Sequence, residues 1–519
     1  MKQQNKTLYI AILALILAVY YLVWGIYLAK LGYFNKEELF LIEKAKIVFE
    51  GIGNRLKVMG LTSPLLPFYG TFLFTAVSYT VAPIMASAFG TGMLFYLICS
   101  TLIKRTSDEF YILIILLLFL FHPGILYVGS SGKSTYMVLI FFYLFYLNIF
   151  KFYTSNTTFH VSVSSICLVV LIFCDYKFVW LTLFFIPLVL SISIHTLNLG
   201  EKESIFRLFL SFNNPSLRRK LISKSMAIFI ILFILPLASV LIYKMLNLTH
   251  ANDLNYFIDS PYSNWSVLAE KIDYSTLQDT VTHKLPEISI LISARVVIFF
   301  PLILLAFYLF RDNTYQMLTL LTPFFFIEFL KIKYAKVFIP QQYYIIFLIL
   351  ALLCIVTKIR TVRNEGVFKV SLIIIVVLSV YTGYAIINTS AIAEERNFIS
   401  CLLHKKVTDS QEEVKSVANY INNLPETSHV LLDDAVAYPI ASFSRNIRSL
   451  TLPYQDDYLS AIEAPQKYDR YVLIASNKNT ANSYTELNLK YATLYKSANS
   501  NVSLRKVFET DNWILYQIL

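Results

Sequence analysis

The chain has 519 residues, of which 57% are hydrophobic and 16% aromatic, and its mean hydropathy is +0.60. The 15% of charged residues could not cover so much apolar surface in water, which excludes a soluble globular protein and requires the excess to face lipid. The net charge of +11 lies mainly in short segments between apolar runs, a pattern that indicates membrane topology and anionic lipids and argues against a nucleic-acid partner.

Apolar runs long enough to cross a bilayer as a helix recur as far as residue 390, which predicts an α-helical polytopic membrane protein. The eleven predicted spans are 8–29, 84–103, 109–128, 135–153, 160–174, 178–195, 225–243, 287–310, 313–330, 338–357 and 370–390. Residues 67–83 are predicted to be re-entrant, because a further span there would move the later basic loops to the outer side. With the N-terminus inside, the first loop and the C-terminal tail then lie outside.

The first outer loop carries the adjacent carboxylates Glu37 and Glu38. Such a pair just beyond a span is suited to acid/base work, in which one carboxylate takes a proton from an acceptor hydroxyl. The spacing from Asn35 to Glu38 is also that of a capping box, so Glu38 has a structural alternative and Glu37 is the better catalytic candidate. The segment 39–50 is predicted to be an amphipathic helix on the membrane surface, and Arg55 follows it.

Lysines cluster in the predicted outer links. Lys331, Lys333 and Lys336 fall within six residues beside Gln341, and further outer links carry Lys133, Asp175 and Lys177. Two interpretations stay open for each lysine: it binds a phosphate group, or it extends to the lipid headgroups.

The tail changes character and predicts a small α/β domain over residues 393–519, after a transmembrane domain of residues 1–392. A capping-box pattern at Ser410–Glu413 opens an amphipathic helix that Pro425 ends. Strands are predicted at 429–432, 470–475 and 513–518, and the pair Asp433-Asp434 is predicted to be a turn.

The order of first span, acidic pair, amphipathic helix and proline-rich re-entry resembles the GT-C superfamily of membrane glycosyltransferases. The protein mannosyltransferase and lipid A aminoarabinose transferase branch is the most similar. Glu37-Glu38 and Ser63-Pro64-Leu65-Leu66-Pro67 stand where that branch has an Asp-Glu pair and a Pro-Pro-Leu-like stretch. His122-Pro123 and the stretch from Lys336 to Pro340 extend the resemblance. Glu37 replaces the Asp of the family, and the 129–134 loop carries Lys133 where some members have an acid, for which Asp175 could substitute.

The resemblance implies transfer of a sugar from a polyprenyl-phosphate donor to a glycan, lipid or protein acceptor at the outer face of the cytoplasmic membrane. Glu37 would activate the acceptor, with Glu38 beside it. Lys331, Lys333, Lys336 and Lys133 are the candidates for holding the donor phosphate, and Arg55, Asp175, Lys177 and Gln341 for contacting substrate. No metal-ligand spacing is present, so a divalent cation would need carboxylates from separate loops.

Two other classes of function stay open. A transporter or flippase of a lipid-linked glycan would carry ionisable residues or broken helices near the middle of the membrane, and the sequence shows neither. A non-catalytic assembly protein would bind a partner through its C-terminal domain.

Overall fold

The computed structural model describes residues 3–59, 61, 65–196, 214–263, 292–333, 340–362, 364–390, 392–405, 409–425, 427–479, 487–490 and 503–519. Within these ranges, eight helices are long and apolar enough to cross a membrane, or ten if each of two bent helix pairs is one span. The protein is therefore a polytopic helical membrane protein.

The helices of the first half of the chain are α1 (Gln3–Lys30), α2 (Lys36–Glu50), α3 (Arg55–Val58), α4 (Leu65–Phe72), α5 (Ala82–Ile103), α6 (Glu109–Phe121), α7 (Pro123–Ser130), α8 (Thr135–Ser155), α9 (Thr158–Cys174), α10 (Val179–Thr196), α11 (Pro215–Ala251) and α12 (Tyr256–Asp259). Those of the second half are α13 (Ile292–Phe299), α14 (Leu302–Phe310), α15 (Thr314–Lys333), α16 (Gln341–Lys358), α17 (Glu365–Asn388), α18 (Ala393–His404), α19 (Asp409–Asn422), α20 (Asp434–Phe443), α21 (Tyr458–Glu463) and α22 (Pro465–Tyr468).

Two of the predicted spans are broken helices. The axes of α6 and α7 differ by 66°, and those of α13 and α14 by 106°. In both pairs a proline follows the break, at Pro123 and Pro301, where it lacks the N–H that a continuous helix would bond. The ring centroids of His122 and Phe300 are 5.8 Å apart, so the two breaks meet inside the bundle. The sequence-based prediction of no broken helix is therefore wrong.

Two further segments differ in length from their predictions. The predicted span 225–243 lies inside α11, which has 37 residues because Asn214 caps its start and Asn252, with φ of 56°, ends it. The segment 67–83 contains the end of the eight-residue helix α4, followed by turns up to the start of α5. A helix of that length is too short to span a bilayer. Its re-entrant placement stays a prediction.

The prediction that α2 lies on the membrane surface as an amphipathic helix is wrong, because every residue from Glu38 to Val48 is buried. It packs against α20 and α5. Leu41, Ile47 and Val48 of α2 share one hydrophobic core with the sheet and helices of the tail. The loop helix thus joins the bundle to the C-terminal part of the chain.

The C-terminal part contains a five-stranded sheet with the order β2-β1-β3-β5-β4. Its strands are β1 (Val430–Leu431), β2 (Leu450–Thr451), β3 (Tyr471–Ala475), β4 (Leu504–Glu509) and β5 (Trp513–Ile518). β1 pairs in parallel with β2 and β3, whereas β5 is antiparallel to β3 and β4. The three predicted strands are confirmed as β1, β3 and β5, and two were missed.

The tail helices also differ in part from their predictions. α19 is present and ends before Pro425 as predicted, but the Glu413 carboxylate accepts hydrogen bonds from the backbone and side chain of Asn512, both at 2.6 Å. α18 packs against the bundle, with Phe398, Ile399 and Cys401 in its core. The division of the chain at residue 392 stays a prediction.

Contacts between loops define one end of the bundle, which we call the basic end. There Lys6 donates a hydrogen bond to the carbonyl of Ser107, and Arg360 donates one to the carbonyl of Lys104. Lys224 donates to the side chain of Asn156, and Lys369 forms an ion pair with Asp108. The loop that carries Glu37 follows the opposite end of α1.

Candidate functional site

The loop between α1 and α2 is fixed by the predicted capping box. The Asn35 side chain accepts a hydrogen bond from the Glu38 N–H at 2.8 Å, and Glu38 Oε2 accepts one from the Asn35 N–H at 3.3 Å. The Asn35 amide also donates to the carbonyl of Ser131, which ties this loop to the one between α7 and α8. Glu38 is 2% exposed, and its burial raises its pKa well above the ordinary value. Its structural role is confirmed.

Glu37 faces the loop between α7 and α8. Its Oε1 accepts hydrogen bonds from the Ser134 N–H at 3.1 Å and from the Ser134 hydroxyl. The side chain is only partly buried. Glu37 therefore has an accessible carboxylate whose present partner is a hydroxyl group, the chemical group that a general base acts on.

Lys133, next to Ser134, contacts the first helix of the tail. Its Nζ lies 3.3 Å from Glu394 Oε1, and the two side chains are 15% and 16% exposed. Nζ also lies 5.4 Å from the centroid of the Tyr127 ring, and the Tyr33 hydroxyl donates to the Glu394 carbonyl at 3.4 Å. Burial by itself would lower the pKa of Lys133, but the nearby carboxylates of Glu394 and Glu37 raise it above the ordinary value. The lysine is therefore charged.

Glu395 holds α18 against the start of α16. One of its oxygens accepts the Gln341 N–H at 2.7 Å, and the other accepts the Ser390 hydroxyl at 2.6 Å. A carboxylate at a helix N-terminus bonds N–H groups that lack a partner within the helix. Glu395 is 3% exposed, and its burial raises its pKa. The backbone of Gln341 thus adjoins the Lys133 site, while its side-chain Nε2 is buried without a hydrogen bond to the described residues.

Asp175 also contacts the start of α16, through different residues. Its carboxylate accepts from the Lys177 N–H at 3.0 Å, from Gln342 Nε2 at 3.4 Å, and from the Tyr343 hydroxyl. The ammonium of Lys177 lies 5.9 Å from the centroid of the Tyr343 ring. Asp175 is thus held by protein groups, and none of these three hydrogen bonds involves the loop of Lys133.

Two of the other predicted cations, Lys333 and Arg55, contact groups other than Glu37. Lys333 Nζ lies 4.1 Å from the centroid of the Trp180 ring, an arrangement typical of a side chain at the lipid headgroups. Lys331 lies in the last turn of the same helix, α15, and Lys336 lies outside the described residues. Arg55 is exposed and donates to the Gly51 carbonyl at 3.4 Å. Of the four predicted phosphate contacts, Lys133 is the one for which the structure shows proximity to Glu37.

A metal site does not form from the described residues. No three His, Cys, Asp or Glu side chains among them are grouped so that they could hold an ion. Glu38 is hydrogen-bonded to Asn35, and Glu395 is hydrogen-bonded to Gln341 and Ser390. These carboxylates therefore do not fit a divalent cation.

The sequence-based interpretation missed Glu394 and Glu395. It noted that the 129–134 loop has a lysine and no acid, but the acids come from the tail, more than 250 residues away. The adjacent pair Glu394-Glu395 directly after the last span repeats the arrangement of Glu37-Glu38 after the first, and this signal could have identified them.

No model of a known protein family matches this sequence, and no curated protein is significantly similar to it.

Proposed function

We propose that the protein is a GT-C-type glycosyltransferase that transfers a sugar from a polyprenyl-phosphate donor to an envelope acceptor at the outer face of the cytoplasmic membrane. The observation that carries the proposal is the partly exposed Glu37 carboxylate, bonded to Ser134 beside the charged Lys133. An acceptor hydroxyl requires a base, and a departing phosphate requires a cation, and this arrangement supplies both.

The proposed topology has eleven spans: the eight long helices, the two broken pairs, and the shorter apolar helix α9. Its orientation is supported by the basic end, where Lys6, Lys104, Arg360 and Lys369 lie, since cytoplasmic loops carry an excess of Lys and Arg. Glu37, Lys133 and the C-terminal α/β domain then face outward.

In the proposed reaction, an acceptor hydroxyl replaces the Ser134 hydroxyl at Glu37 Oε1. Glu37 takes the proton from the acceptor hydroxyl, and the acceptor oxygen forms a bond to the anomeric carbon of the sugar. The bond between this carbon and the phosphate oxygen breaks, and the polyprenyl phosphate leaves with the electron pair. Lys133 offsets the negative charge of the leaving phosphate.

The remaining predicted residues keep secondary roles in this proposal. Lys331 and Lys336 are offered as further phosphate contacts, and Lys333 as a headgroup anchor on Trp180. Arg55, Lys177 and Gln341 are offered as substrate contacts. Asp175 is offered as a support for Tyr343 at the start of α16.

The test compares envelope glycans and glycolipids by mass spectrometry in cells with and without the protein. A glycan that depends on the protein should fall by about a hundredfold or more with Glu37→Gln, because removing a general base has an effect of that size. Glu109→Gln is the matched control, an exposed glutamate in the first turn of α6. Full product formation by a folded Glu37→Gln variant would falsify the proposed base.

A second candidate function is transport of a lipid-linked glycan, and the broken helices favour it. Discontinuous helices form the substrate sites of many transporters. The breaks meet at His122, which is 0% exposed and whose Nε2 has no hydrogen-bond partner among the described residues.

Proteoliposomes loaded with a fluorescent lipid-linked glycan separate the two functions. A transporter would move the lipid between leaflets without forming a new glycosidic bond and would lose this movement with His122→Ala. A transferase would form the new product without a change in leaflet distribution.

A further inference from the structure

We infer that Lys133 and Glu394 form an exchangeable anion-binding site, in which the Glu394 carboxylate occupies the place of a lipid-linked phosphate and gives way to it. The inference rests on the proposed function, because it names the residue with which the donor must compete.

The contact between Lys133 and Glu394 is weakly held. Its length of 3.3 Å exceeds the roughly 2.7–2.9 Å of a charge-assisted hydrogen bond. Glu394 Oε1 is buried, yet it makes no hydrogen bond with any described residue. The ammonium group has three N–H donors, and a phosphate group with several oxygens would satisfy them better than this single carboxylate oxygen.

Glu394 can leave while α18 stays in place, because its neighbours fix the helix. Glu395 is bonded to Gln341 and Ser390. The Phe398 ring, one turn further on, packs against the rings of Tyr33 and Tyr127, with centroid distances of 5.7 and 4.9 Å. Exchange therefore requires only that the Glu394 side chain rotate, and α18 need not unfold or detach.

The charge of the site sets the competition. Lys133 carries the positive charge, and Glu394 and Glu37 are the acids that act most strongly on it. Glu38 and Glu395 are buried and engaged with Asn35, Gln341 and Ser390, and burial raises the pKa of both carboxyl groups. Lys133 carries a single positive charge against the two carboxylates of Glu394 and Glu37, so a phosphate binds well only after one of these carboxylates moves away. Glu37 is held by Ser134, which leaves Glu394 as the one that moves.

The experiment measures binding to the full-length purified protein in detergent, by native mass spectrometry, without any need for turnover. The probes are undecaprenyl phosphate, phosphatidylglycerol and inorganic phosphate. Glu394→Gln should tighten binding of undecaprenyl phosphate by about tenfold, because it removes the competing charge. Lys133→Gln should weaken binding by a similar factor and should abolish the gain in the double variant. Glu412→Gln, an exposed charge on α19, is the control and should change nothing.

Two further variants guard against a folding defect. Glu394→Asp keeps the charge but shortens the side chain, so it should give a smaller gain than Glu394→Gln. Lys133→Arg keeps the cation and should restore binding that Lys133→Gln loses.

The outcomes separate this inference from the proposed function. Unchanged or weaker lipid binding in a folded Glu394→Gln variant overturns the exchange. An equal gain for phosphatidylglycerol and inorganic phosphate supports the anion site but contradicts a specific polyprenyl-phosphate donor. No binding of any probe to any variant overturns both.

Discussion

Two lysine–carboxylate pairs connect the early loops to the tail, and they differ in burial. Lys44 of α2 lies 2.6 Å from Asp434 of α20, with both side chains 2% exposed, and the buried Glu43 lies 3.1 Å from the same ammonium. Lys133 lies 3.3 Å from Glu394, with both side chains about 15% exposed. The first pair is closed to solvent and hydrogen-bonded, whereas the second is partly exposed and longer than a charge-assisted hydrogen bond.

The difference indicates different tasks. A buried pair that breaks leaves an uncompensated charge away from water, so the Lys44 pair is suited to a permanent joint. Around it, Lys46 Nζ bonds the carbonyls of Ser442 and Ser444, both at 2.7 Å, which adds to the same joint. The Lys133 pair is longer and partly exposed, so its replacement by another anion should cost less. We therefore assign the α2–α20 contact to structure and the Lys133 contact to ligand exchange.

The strongest test of this comparison is Lys44→Met. It leaves Asp434 buried without its cation, and we expect a loss of about 3–5 kcal/mol in the free energy of unfolding. Unfolding in detergent, monitored by heating or denaturant, gives the measurement. Lys478→Met, in an exposed ion pair, should leave unfolding unchanged. The triple variant Glu43→Leu/Lys44→Met/Asp434→Leu removes both buried carboxylates with the lysine and should recover much of the loss. A loss that persists there would show that the buried charges are not its cause.

A buried carboxylate without a lysine extends the comparison. Asp469 is 5% exposed and accepts a hydrogen bond from the Thr451 hydroxyl at 2.6 Å, and burial raises its pKa to about 6. Because the folded state holds this proton more tightly than the unfolded state, stability is full below pH about 4 and is lost as the pH rises to about 6. We expect this contribution to be about 2–3 kcal/mol.

The measurement is the free energy of unfolding as a function of pH for the wild type and for Asp469→Asn. The variant should show a decline in stability between these two pH values that is smaller by about this amount. An identical pH profile for both proteins would contradict the assignment.

Variants of Glu38 test the capping box that lies near the Lys133–Glu394 pair. Glu38→Ala removes the acceptor for the Asn35 N–H, and we expect a loss of about 1 kcal/mol in the free energy of unfolding. Glu38→Gln keeps an oxygen that can accept the same hydrogen bond and should be nearly neutral. If both variants destabilise the protein equally, the carboxylate charge matters more than the cap.

The smallest effect on stability is expected for Lys133→Met. The pair is longer than the Lys44 pair and partly exposed, so we expect a loss of less than about 1 kcal/mol in the free energy of unfolding. The same unfolding assay as for Lys44→Met gives a direct comparison. A loss as large as that of Lys44→Met would mean that Lys133 is structural and would remove the basis for exchange with a ligand.

Features with a local cause were predictable from the sequence. The apolar runs predict the long helices, the spacing from Asn35 to Glu38 predicts the cap, and the apolar stretch at 513–518 predicts β5. The broken helices had a local signal that was missed, because Pro123 and Pro301 each follow an aromatic residue deep inside an apolar run.

Features that depend on distant contacts were not predictable. Glu394 meets Lys133, and Asp434 meets Lys44, only after the bundle and the sheet have formed. The same holds for α2, whose pattern is amphipathic although the tail covers its polar face. The two-residue strand β2 is too short to carry a periodic signal, and its pairing with β1 depends on the tail fold.

Helix α11 has a mechanical consequence for this molecule. Its 37 residues extend for about 55 Å, compared with a hydrocarbon thickness of about 30 Å. Its length must therefore be accommodated by tilt or by emergence into the headgroup layer, and a change in bilayer thickness should alter its tilt. Because α11 packs against α3, which follows the C-terminal end of α2, that tilt would act on the segment next to α2. Lipid chain length is thus a physical variable to which this protein should respond.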